Sequence, residues 1–185
     1  MNKSTKQQIF TIPNMLSFFR LLLIPIFIWQ YCIEKNYIIT AVLLIVSGVT
    51  DVADGFIARH FNMISDLGKA LDPVADKLTQ FAMLGCLITR FRQMVIPFAL
   101  IFVKELITGI LGIIVIKKTG EVKGADWHGK VTTILLYLMI VIHVIWYDIS
   151  NTASFILVAL CVCMMLFSFI LYSIRHIHTL KKRRC

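Results

Sequence analysis

Residues 49–79 read VTDVADGFIARHFNMISDLGKALDPVADKLT. Five aspartates fall in this stretch, and four of them form two pairs, Asp51/Asp54 and Asp72/Asp76. The pairs are spaced three and four residues apart, which places each pair on one face of an α-helix. On both sides lie apolar runs of bilayer length, beside which a carboxylate is costly unless something compensates it. The stretch therefore predicts two helices joined by a short polar turn, each bringing an acidic pair to the same end.

Working outward, runs long enough to cross a bilayer fall at Met15–Ile33, Ile38–Ala58, Asp72–Thr89, Met94–Ile116, Val131–Tyr147 and Thr152–Ile174. Hydrophobic residues make up 58% of the 185 positions and charged residues 16%, against about a quarter charged in a soluble domain. The expected fold is all-α: one polytopic domain, residues 1–185, with six transmembrane helices and a short interfacial segment at Lys6–Ile12. Basic residues before the first run raise the possibility of a signal peptide. No small-x-small cleavage site follows, and Arg20 interrupts the run, so an uncleaved membrane helix is expected.

The net charge of +9 would point to nucleic acid in a soluble protein. In a membrane protein it reports topology and anionic lipid instead, so no nucleic-acid partner is expected. Six spans put both termini on one side, together with most of the lysines and arginines. The opposite side receives only Lys35, Arg90 and Arg92. The positive-inside rule then sets both termini and the acidic pairs at the cytoplasmic face of the membrane, with the tail HTLKKRRC near anionic lipid. The cysteines at 32, 86, 161 and 163 lie in apolar runs and imply no disulfide framework. The five histidines show no metal-ligand spacing.

Four carboxylates aimed at one point repel one another unless cations neutralise them. Hard oxygen donors suit Mg2+, Mn2+ or Ca2+ rather than zinc. Four such ligands are enough for two ions sharing bridging carboxylates, an arrangement that holds a phosphate or diphosphate during in-line displacement. The neighbours fit this chemistry. Gly55 and Gly68 let a ligand approach the backbone, Ala58 keeps the face shallow, and Arg59 offers a fork for phosphate. Asn14 either caps the first turn of its helix or serves the site, whereas Arg20 lies deep enough to face the bundle interior.

The pattern Asp51-x2-Asp54-Gly55-x2-Ala58-Arg59-x8-Gly68-x3-Asp72-x3-Asp76 places eight residues over 26 positions. In this it resembles the signature of the CDP-alcohol phosphotransferase family. TIPNMLSFFRLLLIPIF and ALDPVADKL are similar to the branch that makes phosphatidylglycerophosphate and, with the same fold, cardiolipin. The resemblance implies a metal-dependent enzyme with two Mg2+ or Mn2+ ions, transferring a phosphatidyl group from CDP-diacylglycerol to an alcohol with loss of CMP. It makes Asp51, Asp54, Asp72 and Asp76 the metal ligands and Asp76 also the general base. It assigns Asn14, Arg20, Gly55, Ala58, Arg59 and Gly68 to the CDP-lipid, and it implies a homodimer among membrane lipids.

The expected acceptor is glycerol 3-phosphate, held by Lys77, Lys104, Lys123 or Lys130. Lys104 and Glu105 interrupt the fourth run, either for the acceptor or to pair with other charges. Lys130 either binds the acceptor or anchors a helix end. The branch tends to carry Arg-Glu in place of Lys104-Glu105, and Gly-Lys-x-Lys-Thr in place of Gly129-Lys130-Val131-Thr132-Thr133. A lost cation and a lost guanidinium fork favour a less charged acceptor, which keeps phosphatidylglycerol, and so cardiolipin synthesis, as the alternative. A cation channel would spread its carboxylates along a path, and a membrane prenyltransferase would space them differently. Release of CMP from CDP-diacylglycerol separates the transferase from both.

Overall fold

The computed structural model describes residues 12–60, 66–119, 127–146 and 148–181. Among the described residues there are six α-helices and no strand. These are α1 (Ile12–Cys32), α2 (Tyr37–His60), α3 (Asp66–Ile88), α4 (Val95–Thr119), α5 (Trp127–Ile145) and α6 (Asn151–Lys181), with a 3-10 turn at Arg92–Met94. Each of the six expected runs is therefore helical. The interfacial segment expected at residues 6–12 lies, up to position 11, outside the described residues. Ile12 already belongs to α1, with Pro13 in the first turn, where its missing N–H costs nothing. Asn14 consequently sits inside the first turn of α1 and not at its cap.

Two helix boundaries move furthest from their expected places. The third begins six residues early, at Asp66 rather than Asp72, so Gly68, Asp72 and Pro73 all lie within it. Asp66 is its first residue. The last helix continues past Ile174 to Lys181. Its start is set by Ser150, whose Oγ accepts from the Ala153 N–H at 3.2 Å while its carbonyl accepts from the Ser154 N–H at 2.9 Å. Asn36 caps α2 in the same way, its Oδ1 accepting from the Ile39 N–H at 3.1 Å.

The stretches Asn14–Cys32, Arg92–Val115, Trp127–Ile145 and Asn151–Arg175 are each long and apolar enough to cross a bilayer. The apolar part of α2 is the shorter Tyr37–Ala53, and α2 and α3 are the helices that carry the acidic pairs. The surface is inverted relative to a soluble protein. On α1, Phe18, Leu22, Ile26 and Trp29 are exposed, while Asn14, Ser17 and Arg20 are buried. On α6, Phe155, Ile156, Leu160, Phe167 and Ile170 are exposed, and Ser154 and Ser168 are buried. Apolar surface of that extent in water drives association, so its solvent is lipid. Small polar residues between helices are the usual packing material there. The protein is a polytopic membrane protein.

By packing, the chain divides into two compact units, Met1–Arg90 with Val141–Tyr147, and Phe91–Ile140 with Asp148–Cys185. In the first unit α1 packs along both α2 and α3. Its core includes Phe27, Leu44, Met83, Leu84 and Leu87. At the end remote from the aspartates, Arg90 donates to the Tyr37 hydroxyl at 2.9 Å, and Cys32 and Cys86 lie with their sulfurs 3.6 Å apart. In the second unit α4 packs on α6 around Met94, Ile101, Val158 and Met165. The side chains of α5 meet α6 through His128, whose Nδ1 lies 3.1 Å from Ser168 Oγ.

Candidate active site

The acidic pairs stand near the adjoining ends of α2 and α3. Asp51 is two and a half turns before the end of α2, and Asp54 follows it one turn later on the same face. On α3, Asp72 and Asp76 are likewise one turn apart. The side chains of Asp54, Gly55, Ala58, Arg59 and Gly68 lie outside the described residues, although the first four positions fall within α2 and Gly68 within α3.

What joins the two acidic helices is α1. Arg20 is only 2% exposed, and its guanidinium donates through Nη1 to Asp51 Oδ1 and through Nη2 to Asp72 Oδ1, the latter at 3.3 Å. Ser17, one turn earlier on α1, is buried and donates its hydroxyl to the same Asp72 oxygen. The carboxylates themselves remain open, with 44% of the Asp51 side chain and 39% of the Asp72 side chain exposed. The arrangement is a buried cationic floor beneath two accessible anions. The arginine expected to face the interior does so, and its partners are the aspartates.

Asp76 has different company. The amide nitrogen of Gln80, one turn on, lies 3.1 Å from each of its carboxylate oxygens. Lys77 Nζ stands 4.0 Å from Asp76 Oδ2, at the outer limit of an ion pair. Neither Ser17 nor Gln80 is among the residues expected from the sequence, yet both carry a signal in it. Asn14, Ser17 and Arg20 recur every third residue as a polar stripe on an apolar helix, and all three are buried. Gln80 extends the four-residue spacing of Asp72 and Asp76 by one step.

The donor set suits a hard divalent cation in its chemistry, being carboxylate oxygen from two helices already gathered about one positive centre. Among the described residues no three such side chains close around one point. The fourth carboxylate by register, that of Asp54, lies outside them.

Of the acceptor candidates, Lys77 is the one the first unit brings beside the aspartates. Lys123 lies outside the described residues. In the second unit Lys104 is 7% exposed and its ammonium stands 3.3 Å from Glu105 Oε1, so the charge in the middle of α4 has a carboxylate partner one residue away. Lys130 is exposed at the second turn of α5. The neighbouring Gly129 has a packing reason to be glycine. A Cβ there would stand 3.1 Å from Tyr172 Cε2 and closer still to the hydroxyl. The Tyr172 ring meets His128 edge-on at 4.6 Å between centroids. Gly129→Ala is expected to displace Tyr172 from His128 and lower stability by about 1–3 kcal/mol, an overpacking cost. The check is the thermal midpoint of the detergent-solubilised variant.

A family model described as CDP-alcohol phosphatidyltransferase matches residues 10–170. Among similar proteins is a CDP-diacylglycerol–glycerol-3-phosphate 3-phosphatidyltransferase of Aquifex aeolicus (strain VF5). It is 34% identical over 129 residues, covering 69% of this chain and 71% of the relative. The protein of the same name from Bacillus subtilis (strain 168) is 33% identical over 139 residues, 67% of this chain and 71% of the relative. A third, from Schizosaccharomyces pombe, is named cardiolipin synthase (CMP-forming) / mitochondrial hydrolase fusion protein. It is 39% identical over 85 residues, 46% of this chain but 14% of that longer protein.

Proposed function

The chain belongs to the CDP-alcohol phosphatidyltransferase family, and from that premise we propose that it moves a phosphatidyl group from CDP-diacylglycerol to glycerol 3-phosphate and releases CMP. The observation that carries the reading is the convergence of Asp51 and Asp72 on one buried cation, with Asp76 a turn further along α3. Relatives named for this reaction match two thirds or more of the chain.

The divalent ions, Mg2+ or Mn2+, would be held by Asp51, Asp54, Asp72 and Asp76. When bound they neutralise the diphosphate and stabilise charge on the leaving CMP. The residues of the chain do the rest. Asp76 accepts the proton of the acceptor hydroxyl as its oxygen bonds to the phosphorus that carries the lipid, and the bond from that phosphorus to CMP breaks. Arg20 and Ser17 hold Asp51 and Asp72 from below, so that both carboxylates keep their open faces toward the ligand. Asn14, Gly55, Ala58, Arg59 and Gly68 are assigned to the cytidine diphosphate, with Arg59 as its guanidinium fork. Lys77, Lys104, Lys123 and Lys130 are the candidates for the acceptor's phosphate. The site and both termini are placed at the cytoplasmic face by the distribution of lysine and arginine, and a homodimer is the proposed assembly.

Two features favour phosphatidylglycerol as an alternative acceptor. Lys104 is engaged by Glu105, and the second lysine of the Gly-Lys-x-Lys-Thr pattern is Thr132 here, with its hydroxyl donated to the His128 carbonyl at 2.8 Å. Both reduce the positive charge available to a phosphomonoester dianion. Purified protein given CDP-diacylglycerol with glycerol 3-phosphate or phosphatidylglycerol decides between them. Phosphatidylglycerophosphate is the expected product. Cardiolipin formed in its place would transfer the assignment to the alternative. No CMP release with either acceptor would end both.

A further inference from the structure

Gln80 is an expensive residue in its position. It is 1% exposed on α3 among Ala75, Met83, Leu84 and Leu87, all buried, where an apolar side chain would pack without loss. Burying an amide is unfavourable unless its polar atoms are paired. Among the described residues its Oε1 is buried without a hydrogen-bond partner, while its nitrogen is directed at Asp76. That orientation is the one an ionised carboxylate selects. Turning the amide over would set Oε1 against two carboxylate oxygens.

The distances define what this contact does. The nitrogen is 3.1 Å from both Oδ1 and Oδ2, so it lies on the plane that bisects the carboxylate. Swinging the carboxyl group away about the Cα–Cβ bond would give up both contacts, so a donor facing both oxygens favours this one placement of the group. Yet 3.1 Å is longer than the roughly 2.7–2.9 Å of a full charge-assisted bond, so neither oxygen is committed to the amide. Asp51 and Asp72 differ, since both answer to the guanidinium of Arg20. A base must be held in place and still be able to accept a proton. Gln80 supplies the first through a neutral amide donor.

We propose that Gln80 is a positioning residue for the transfer reaction, holding the Asp76 carboxylate in the orientation from which it takes the acceptor's proton. The proposal rests on Asp76 being the base. Gln80 acts through Asp76 and touches no substrate, so its removal lowers kcat without weakening the CDP-lipid site.

The test uses the full chain in detergent or lipid, with Gln80→Met, of similar length and no donor, and Gln80→Leu as a second apolar replacement. For each, kcat, KM for CDP-diacylglycerol, equilibrium binding of CDP-diacylglycerol and the thermal midpoint are measured beside Asp76→Asn. The expected result is a kcat lower by about tenfold, with KM and binding within about twofold and an unchanged or higher midpoint. Wild-type kcat in either apolar variant overturns the proposal. So does a parallel loss of kcat, binding and thermal midpoint, which would make Gln80 a packing residue. Normal turnover by Asp76→Asn marks failure of the underlying base assignment, whereas an inactive Asp76→Asn beside a normal Gln80→Met refutes the role of Gln80 alone.

Discussion

Asp76→Asn is expected to abolish turnover while leaving CDP-diacylglycerol bound. Asparagine has nearly the shape of aspartate but takes up no proton at neutral pH, so the acceptor hydroxyl loses its base. General-base catalysis contributes roughly 10²–10⁴-fold, and the loss is expected at the upper end because Asp76 is also a proposed metal ligand. The packing should survive. Asp76 is a partly exposed side chain near the end of the site, and the buried connection among the helices runs through Arg20, Ser17, Asp51 and Asp72. The measurement is single-turnover CMP release together with equilibrium binding of the CDP-lipid. Substantial turnover by the variant would refute the role given to Asp76. Loss of binding equal to the loss of rate would make the residue a substrate ligand rather than a base.

Chelation should have an effect of comparable size. Asp51, Asp54, Asp72 and Asp76 carry four negative charges at two helix ends, and a diphosphate adds more. Arg20 is a single positive charge, already shared between two of them. A bound diphosphate therefore needs cations from solution, and two-metal phosphoryl chemistry draws several kcal/mol of barrier reduction from them, more than about 100-fold in rate. EDTA is expected to remove activity to that extent, and excess Mg2+ or Mn2+ to restore it. Zn2+ should substitute poorly for hard oxygen ligands. Full activity after exhaustive chelation would defeat the two-metal reading while leaving the family assignment standing.

The acidic pairs are legible in the sequence because a helix converts spacing into direction. Three- and four-residue separations become shared faces through local geometry, and apolar length identifies a bilayer span without reference to a neighbour. Asp66 marks where such legibility stops. It stands outside the spacing of the other four aspartates, and its place at the start of α3 depends on where the helix begins, which local periodicity sets only within a few residues. Gln80 is legible in principle as the next step of the Asp72 and Asp76 spacing. An amide in an apolar run carries no charge to draw notice, and only its burial against Asp76 gives it a role.

The sequence by itself determined the class of protein, the six helices and the faces on which the aspartates stand, because these depend on contacts within a few residues. Tertiary structure alone decided which group compensates the carboxylates. Arg20 is 31 positions from Asp51 and 52 from Asp72. Nothing in its own helix says that α1 packs along both α2 and α3 and brings a buried guanidinium to both. That choice is made when helices in lipid pack through small and polar residues, and a buried charge has to find its counterion there or go uncompensated.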